Sequence, residues 1–543
     1  MFESVLIANR GEIAVRIART CADMGIRSIA VYCPEDRDAF HARVADEAFA
    51  LRGDSVAETY LNVDAVIGAA LQAGAQAVHP GYGFLAESAN LAQAVVEAGL
   101  TWVGPPPAAL TLVSDKISAR RLAEQAGVPL LPASTAPLTC AEEIQAFGAE
   151  HGYPVVVKAA HGGGGRGMRV VNDPEEAAAA LAACRREAAT AFGRTECFVE
   201  RFLRRPRHVE TQCLADAFGT VAVVSTRDCT IQRRHQKLIE EAPAPFLSPA
   251  QETALADASQ ALLAAAGYIG AATCEFLVDA DGICNFMEVN PRLQVEHPVT
   301  EEITGVDLVR EQLRIAAGLP LDRSRWEGAA AGLALGHAIE LRINAEDPAL
   351  GFTPSCGTVR ALRLPAGPGV RCDFGYEAGD QLSGSFDSLI GKIVVHGANR
   401  TEALARARRA IAEFRIEGVA TVRAFHQAAL SSPAFACQDA ASFLVHTRWV
   451  EEDFADAVMA LPPGVETEGG TGGAGGVGGM GGMGAIGGMG GIGGAGGIGG
   501  AGGAGAVSGM GGSGRTGGMS GTGGAGAIGG AGGTGAVSGM GGS

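Results

Sequence analysis

Apolar positions along the chain change period repeatedly, and each change predicts an element. Residues 5–8 form a short apolar run, Ile13, Val15, Ile17 and Ala18 follow at mostly helical spacing, and residues 28–32 return to a strand pattern. Strand, helix and strand in that order predict a βαβ opening. Further strands over 75–79 and 101–103, with a helix over 91–98 between them, extend it into a parallel sheet. The expected fold class is α/β and α+β: a Rossmann-like first domain over 1–114, a second over 115–330 rich in glutamate and glycine, and a third over 331–450. Pro462, Pro463 and Gly464 mark the exit into a Gly-rich tail over 465–543.

Two hairpins carry the candidate chemistry. In the first, an apolar strand over 153–158 ends in Lys158, and Gly162, Gly163, Gly164 and Gly165 precede Arg166, Gly167 and a second strand over 168–171. Four consecutive glycines leave backbone N–H groups free to approach phosphate oxygens, at an entropic cost that an ordinary turn has no reason to bear. Lys158 and Arg166 flank them with positive charge. The pattern differs from the P-loop, which needs G-x-x-x-x-G-K-[ST] opening a helix.

In the second hairpin, Asp281-Gly282 between two apolar runs predicts a two-residue turn. Ala280 then pairs with Ile283, Glu275 stands opposite Glu288, and Asn290 shares the face of Glu288. Facing carboxylates repel unless a cation lies between them, and an all-oxygen set suits Mg²⁺ or Mn²⁺ bridging to nucleotide phosphates. Phe276, Leu277, Phe286 and Met287 argue against a merely solvated acidic edge. Just downstream, Arg292, Gln294 and Glu296 alternate; an extended backbone would present all three on one face, able to hold a small anion and deprotonate it. His297 suits a structural role as readily as a functional one.

Charge and composition narrow the field. With 42 basic and 59 acidic residues the net charge is −17, which argues against a general nucleic-acid binder. Only four of the basic residues are lysines: Lys116, Lys158, Lys237 and Lys392. Lysine is a compact point charge and arginine a planar fork, so the first three read as phosphate and anion contacts. Lys392, inside an apolar run, reads equally well as drift. The 12 cysteines include no C-x-x-C pair, so neither a zinc site nor a disulfide framework is indicated, and Cys229 reads as structural. With no charged leader and no long apolar stretch, the expectation is a soluble cytoplasmic protein without a membrane span. From Gly469 onward the sequence holds 42 of the 80 glycines and a single charged residue, Arg515, and the segment 505–513 recurs identically at 535–543. That is the signature of an expanded low-complexity repeat.

Over nearly the whole of residues 1–450 the chain resembles biotin carboxylase. The resemblance is carried by Ala8-Asn-Arg-Gly-Glu-Ile13, His79-Pro-Gly-Tyr-Gly-Phe-Leu85, the run from Lys158 to Val171, Arg227-Asp-Cys-Thr-Ile-Gln-Arg-Arg-His-Gln-Lys237, the run from Glu288 to Thr300, and Arg342-Ile-Asn-Ala-Glu-Asp-Pro348. The run from Val445 to Glu452 looks most like the biotin-carboxylase region of actinobacterial acyl-CoA carboxylase alpha chains.

That resemblance implies an ATP-grasp fold with a mobile lid over about 131–204. It implies that ATP is held by Lys116, Lys158, the glycine loop, Glu200, Arg201, Leu203, His208, Gln232 and His235. Glu275, Glu288 and Asn290 would hold Mg²⁺ or Mn²⁺. Lys237, Arg292, Gln294 and Val295 would bind bicarbonate, with Glu296 as its general base, and Arg342 would stabilise the carboxyphosphate and the biotin enolate. Biotin would dock near Tyr82, His235 and Arg342. A homodimer is also implied.

Two departures stand out. His161 occupies a position where a further glycine is usual, and no lysine follows Lys392, so the biotin is expected on a separate carrier protein that works with a separate carboxyltransferase subunit. A pyruvate carboxylase subunit, an ATP-grasp ligase with another acceptor, and a scaffold with a degenerate site are the competing readings.

Overall fold

A computed structural model describes residues 1–160, 167–322 and 334–462. The opening βαβ forms where the periodicity predicts it, with β1 (Ser4–Ile7), a helix over Gly11–Asp23 and β2 (Arg27–Tyr32). With β3 (Glu47–Ala50), β4 (Ala77–His79) and β5 (Thr101–Trp102) they build a parallel sheet in the order β3-β2-β1-β4-β5. Alternation along β1 sends Val5 and Ile7 to one core with Ile13 and Ile17, and Leu6 to the other with Ile29 and Val78. Both faces are therefore covered, as a parallel sheet requires.

The carboxyl ends of β1 and β4 open onto the site. Asn9 Nδ2 donates to the carbonyls of Pro80 (2.7 Å) and Tyr82 (2.8 Å) and so fixes the loop that carries Tyr82. Gly81 is required there: its φ is +62°, and a Cβ would lie 2.9 Å from Asn9 Nδ2.

β6 (Val155–Ala159), β7 (Met168–Val171) and β8 (Cys197–Arg201) form a small antiparallel sheet in the order β7-β6-β8. The expected hairpin of β6 and β7 is present, with Lys158 opposite Met168. Gly162 to Gly165, together with His161 and Arg166, lie outside the described residues.

The largest sheet contains β9 (Arg207–Ala215), β10 (Val221–Arg233), β11 (Gln236–Ala242), β12 (Gly270–Val278), β13 (Cys284–Asn290) and β14 (His337–Asn344). The strands Leu389–Gly397 and Val370–Phe374 complete it, in the order β13-β12-β9-β10-β11-β14 and then these two. A helix over Pro249–Ala265, started by a capping box between Ser248 and Gln251, buries Leu255, Leu262 and Leu263 against this sheet. At the other end, Phe374, Phe414, Phe425 and Trp449 share a core with Ile339, Leu341 and Ile393. Among the described residues no helix is long and apolar enough to cross a membrane. All twelve cysteines are free thiols.

Candidate active site

The elements above surround a cavity of about 1090 Å³. Its walls include Tyr82 from the loop after β4, Lys158, Glu200 and Arg201 from the small sheet with Leu203 just past it, and His208, Gln232 and Lys237 from the large sheet with His235 in the turn between β10 and β11. Glu275, Glu288 and Asn290 of the β12–β13 hairpin line it too, as do Arg292, Gln294, Val295 and Glu296, with Lys116 and Arg342. Every predicted site residue within the described part of the chain thus faces one space.

The β12–β13 hairpin places Glu275 opposite Glu288, as the sequence predicts, but by a different route. The strands end at Val278 and Cys284, so the loop is longer than Asp281-Gly282. Asp279 organises it by accepting from the backbone N–H groups of Asp281 (3.0 Å) and Ile283 (2.9 Å). A register shift between Glu275 and Phe276 sets Phe276 against Phe286. The bulge and the longer loop offset each other, and the carboxylate pair survives. Asn290 Nδ2 donates to Glu275 at 2.8 Å, which joins two of the three predicted ligands directly. Two carboxylates and an amide oxygen, drawn from paired strands and facing one cavity, fit a hard divalent cation.

Positive charge reaches this pair from separate directions. Lys116 lies 3.1 Å from Glu288. It is the first residue of a helix over Lys116–Gln125, whose N-terminus Asp115 caps by accepting from Ser118 N–H at 2.7 Å. His208 lies 3.1 Å from Glu275, and this neighbour raises the imidazole pKa against the lowering effect of burial. Lys158 pairs with Glu200 at 3.0 Å. His235, at positive φ in the tight turn between β10 and β11, is pushed down by burial.

Lys237 is the hub. Its Nζ donates to Glu210 (2.7 Å), Glu275 (3.0 Å), Glu296 (2.5 Å) and Gln294 Oε1 (3.4 Å). Burial alone would neutralise it, but this ring of carboxylates raises its pKa well above the usual lysine value. The same contacts act in reverse on their partners. Burial pushes Glu275 and Glu296 up, while Lys237, with His208 on the first and Arg342 on the second, more than offsets it and holds both well below the usual carboxylate range. Glu296 is therefore held as a carboxylate by the cations around it.

The segment after β13 is not extended, contrary to the expectation of one common face. Residues 291–296 turn, because Leu293 is wholly buried in the core and Glu296 occupies the N-terminal boundary of the helix His297–Thr304. Gln294 and Glu296 still converge on Lys237. Arg292 approaches from another side, donating to Glu87 (2.8 Å) and Asn290 (3.1 Å). Arg342 bridges Glu240 (2.5 Å) and Glu296 (2.9 Å). His297 is wholly buried, and its Nδ1 donates to the Gln294 carbonyl at 2.7 Å, which makes it a brace for the turn. Burial raises the Cys229 thiol pKa well above its usual value, in line with a structural role.

Several site residues were missed by sequence reasoning. Glu210 and Arg227, both wholly buried, form an ion pair at 2.5 Å beneath Lys237. Lys392 is no product of drift: wholly buried, it reaches Glu12 at 3.0 Å and the Val295 carbonyl at 2.8 Å. Glu12 in turn accepts from the Tyr82 hydroxyl. The available signal was the same for all of them, a charged residue at an inward position of an apolar strand or helix, which folds only if a partner is waiting.

The chain matches three family descriptions in succession: "Biotin carboxylase, N-terminal domain" over residues 1–110, "Carbamoyl-phosphate synthase L chain, ATP binding domain" over 115–324, and "Biotin carboxylase C-terminal domain" over 340–452. It is 52% identical over 454 residues to the biotin-dependent acyl-coenzyme A carboxylase alpha3 subunit of Mycobacterium leprae, covering 84% of this chain and 75% of that one. It is 45% identical over 434 residues to a biotin carboxylase of Nostoc, covering 80% and 96%. Among solved structures it resembles the biotin carboxylase domain dimer of 2-oxoglutarate carboxylase from Hydrogenobacter thermophilus, in complex with MgADP, ADP and bicarbonate, with a TM-score of 0.80 at 39% identity over 84% of this chain and 99% of that one.

Proposed function

The chain belongs to the biotin carboxylase family, and from that premise we propose that it uses ATP and bicarbonate to carboxylate biotin held on a separate carrier protein, as a component of an acyl-CoA carboxylase. We divide it into a first domain over 1–114, an ATP-grasp domain over 115–330 with its lid over about 131–204, and a third domain over 331–450. One observation carries the reading: a single cation, Lys237, touches both the metal-binding carboxylate Glu275 and the base Glu296. The nucleotide end and the anion end of the cavity therefore meet at one atom.

In this assignment Lys116, Lys158, Glu200, Arg201, Leu203, His208, Gln232 and His235 grip the nucleotide, with the glycine loop over its phosphates. Glu275, Glu288 and Asn290 hold Mg²⁺ or Mn²⁺, which neutralises phosphate charge when bound. Bicarbonate lies against Lys237, Arg292, Gln294 and the backbone of Val295. Glu296 takes its proton, and a bicarbonate oxygen attacks the γ-phosphorus as ADP leaves. The carboxyphosphate so formed splits beside Arg342 into CO₂ and phosphate, the phosphate takes the N1′ proton of biotin docked near Tyr82, His235 and Arg342, and the deprotonated N1′ captures the CO₂. Most of the catalysis is charge neutralisation by preorganised side chains in a site that excludes water.

None of the four lysines suits biotinylation, which supports a carrier acting in trans. Lys116, Lys158 and Lys237 are engaged in ion pairs within the cavity, and Lys392 is wholly buried. A separate carboxyltransferase then hands the carboxyl group to an acyl acceptor. The Hydrogenobacter relative is a dimer, and we place this chain likewise as a homodimer in the cytoplasm.

ATP cleavage assayed with and without bicarbonate and free biotin tests the reading. Cleavage that needs bicarbonate and accelerates with biotin is expected. Cleavage indifferent to biotin but stimulated by an amine would move the chain to the ATP-grasp ligases with another acceptor.

A further inference from the structure

Beneath the helix His297–Thr304, the large sheet buries two carboxyl groups that no step above uses. Glu240 and Glu340 are direct cross-strand partners in β11 and β14. Their side chains leave the sheet on the same face, with Cβ atoms on the order of 5 Å apart. Both are wholly buried, and their neighbours on that face are Ala242, Ala338 and Val394 of the sheet and Val299 and Ile303 of the helix. Glu240 Oε1 accepts from Arg342 Nε at 2.5 Å. Its other oxygen and both oxygens of Glu340 meet no donor.

Apart from Arg342 the surrounding charges are committed elsewhere: the buried Cys229 thiol of β10 brings no positive charge, and Arg371, opposite Val394 in the sheet, is taken by Glu301 and Asp373. Arg342, on β14, is shared between Glu240 and Glu296. Lys392, on the adjacent strand, is taken by Glu12 and the Val295 carbonyl. Lys237, near the start of β11, is taken by Glu210, Glu275 and Glu296. Glu296, at the helix N-terminus, adds only negative charge, and the helix itself presents Val299 and Ile303. Two ionised carboxylates side by side in such a pocket would repel at low dielectric with one shared cation between them. Burial accordingly pushes Glu240 up to about 7 and Glu340 well above the usual carboxylate range.

We propose that Glu240 and Glu340 share a single proton, with Glu340 as the neutral acid donating its O–H to the unpartnered Oε2 of Glu240, so that the singly charged pair positions Arg342 against Glu296 and the biotin side of the cavity. The proposal deepens the biotin carboxylase reading and rests on it for its consequence, but the shared proton itself does not. With one proton on the pair, Arg342 balances Glu240 with one edge of its guanidinium and Glu296 with the other. Loss of that proton leaves two negative charges on the far side of Arg342, which pull it from Glu296. Glu240 and Glu340 are thus positioning residues, and the placement of Arg342 fails on the alkaline side.

Infrared difference spectroscopy of the full chain, wild type against Glu340→Gln, reads the proton directly. The carbonyl stretch of a neutral carboxylic acid, present at neutral pH in the wild type and lost in the variant, is expected. No such band overturns the proposal. In parallel, kcat/KM for biotin is measured against pH. The alkaline limb of the wild type should move up by more than about one pH unit in Glu340→Gln, whose amide donates to Glu240 but has no proton to lose in this range. Glu340→Leu, which cannot donate, should lose about tenfold or more in kcat/KM for biotin, with KM for ATP within about twofold of wild type, and Gln should restore most of it. Superimposable pH profiles of wild type and Glu340→Gln overturn the proposal. If Glu340→Gln does not fold, Glu340→Leu, which removes the same acid, gives the infrared comparison. An acid band in a chain that fails to carboxylate biotin would sink the functional reading and leave the shared proton standing.

Discussion

Lys237 shows how much a single side chain can be asked to do here. Four acceptors converge on its Nζ, and three of them are buried carboxylates. Lys237→Gln leaves those charges facing one another, and removing one partner of a buried ion pair costs about 3–5 kcal/mol. Turnover should fall by roughly 10²–10³-fold, the cost of deleting one preorganised anion contact. Chemical denaturation and single-turnover ATP cleavage check the two effects separately. Arg292, held by Glu87 and Asn290, is assigned above to bicarbonate and not to the nucleotide, so Arg292→Ala should abolish biotin-dependent ATP cleavage and leave ATP binding largely intact. Equal losses in ATP affinity, by titration calorimetry, and in turnover would contradict a bicarbonate role for it.

At the scale of elements, the junction of β11 and β14 with the C-terminal helices depends on one buried acid. Glu241 accepts from Arg400 at 2.7 Å and 3.1 Å and lies 2.8 Å from His337, while Arg400 also donates to the carbonyls of Phe435 (2.8 Å) and Cys437 (2.6 Å). Burial pushes the Glu241 carboxyl up, but Arg400 and His337 outweigh it and bring it down to about 2. A folded pKa below the unfolded value, about 4.3, contributes stability that is complete above the unfolded value and is lost as pH falls through the folded one. Glu241→Gln should therefore cost about 3–5 kcal/mol at neutral pH, and the gap to wild type should close between about pH 4 and pH 2. Urea titrations of both proteins across that window measure it, and a gap independent of pH would show that Glu241 acts by packing alone.

For the whole molecule, the first sheet, the small sheet and the large sheet all send residues into one cavity, so a nucleotide bound there links them. MgATP at about 100 times its Kd should stabilise the fold by about 2.7 kcal/mol and raise the thermal midpoint. Chelating the metal, or Glu288→Gln, should remove most of that shift, because the carboxylate pair then lacks either its cation or one of its ligands. A shift of the same size with EDTA present would mean that the nucleotide binds without the Glu275–Glu288 pair.

The parallel opening and the β6–β7 hairpin were legible from period and turn chemistry, whereas Glu275 faces Glu288 as expected only because a bulge the sequence did not signal offsets a loop longer than Asp281-Gly282. The motifs from Lys158, from Arg227 and from Glu288 were legible as a family pattern, in which spacing stands in for geometry. The turn at 291–296 was not legible, since alternation there reflects Leu293 entering a core built from distant segments. Nor were the partners of Lys392, because Glu12 lies 380 positions away and meets it only where a glycine, Gly375, lets the third block press on the first helix: a Cβ there would fall 2.4 Å from the Glu12 nitrogen. Composition and local periodicity determined which strands and helices form and which side chains carry charge inward. Only the tertiary structure decided which of those buried charges neutralise one another, since Coulomb energy at low dielectric depends on separation in space, and the chain order says nothing of that separation.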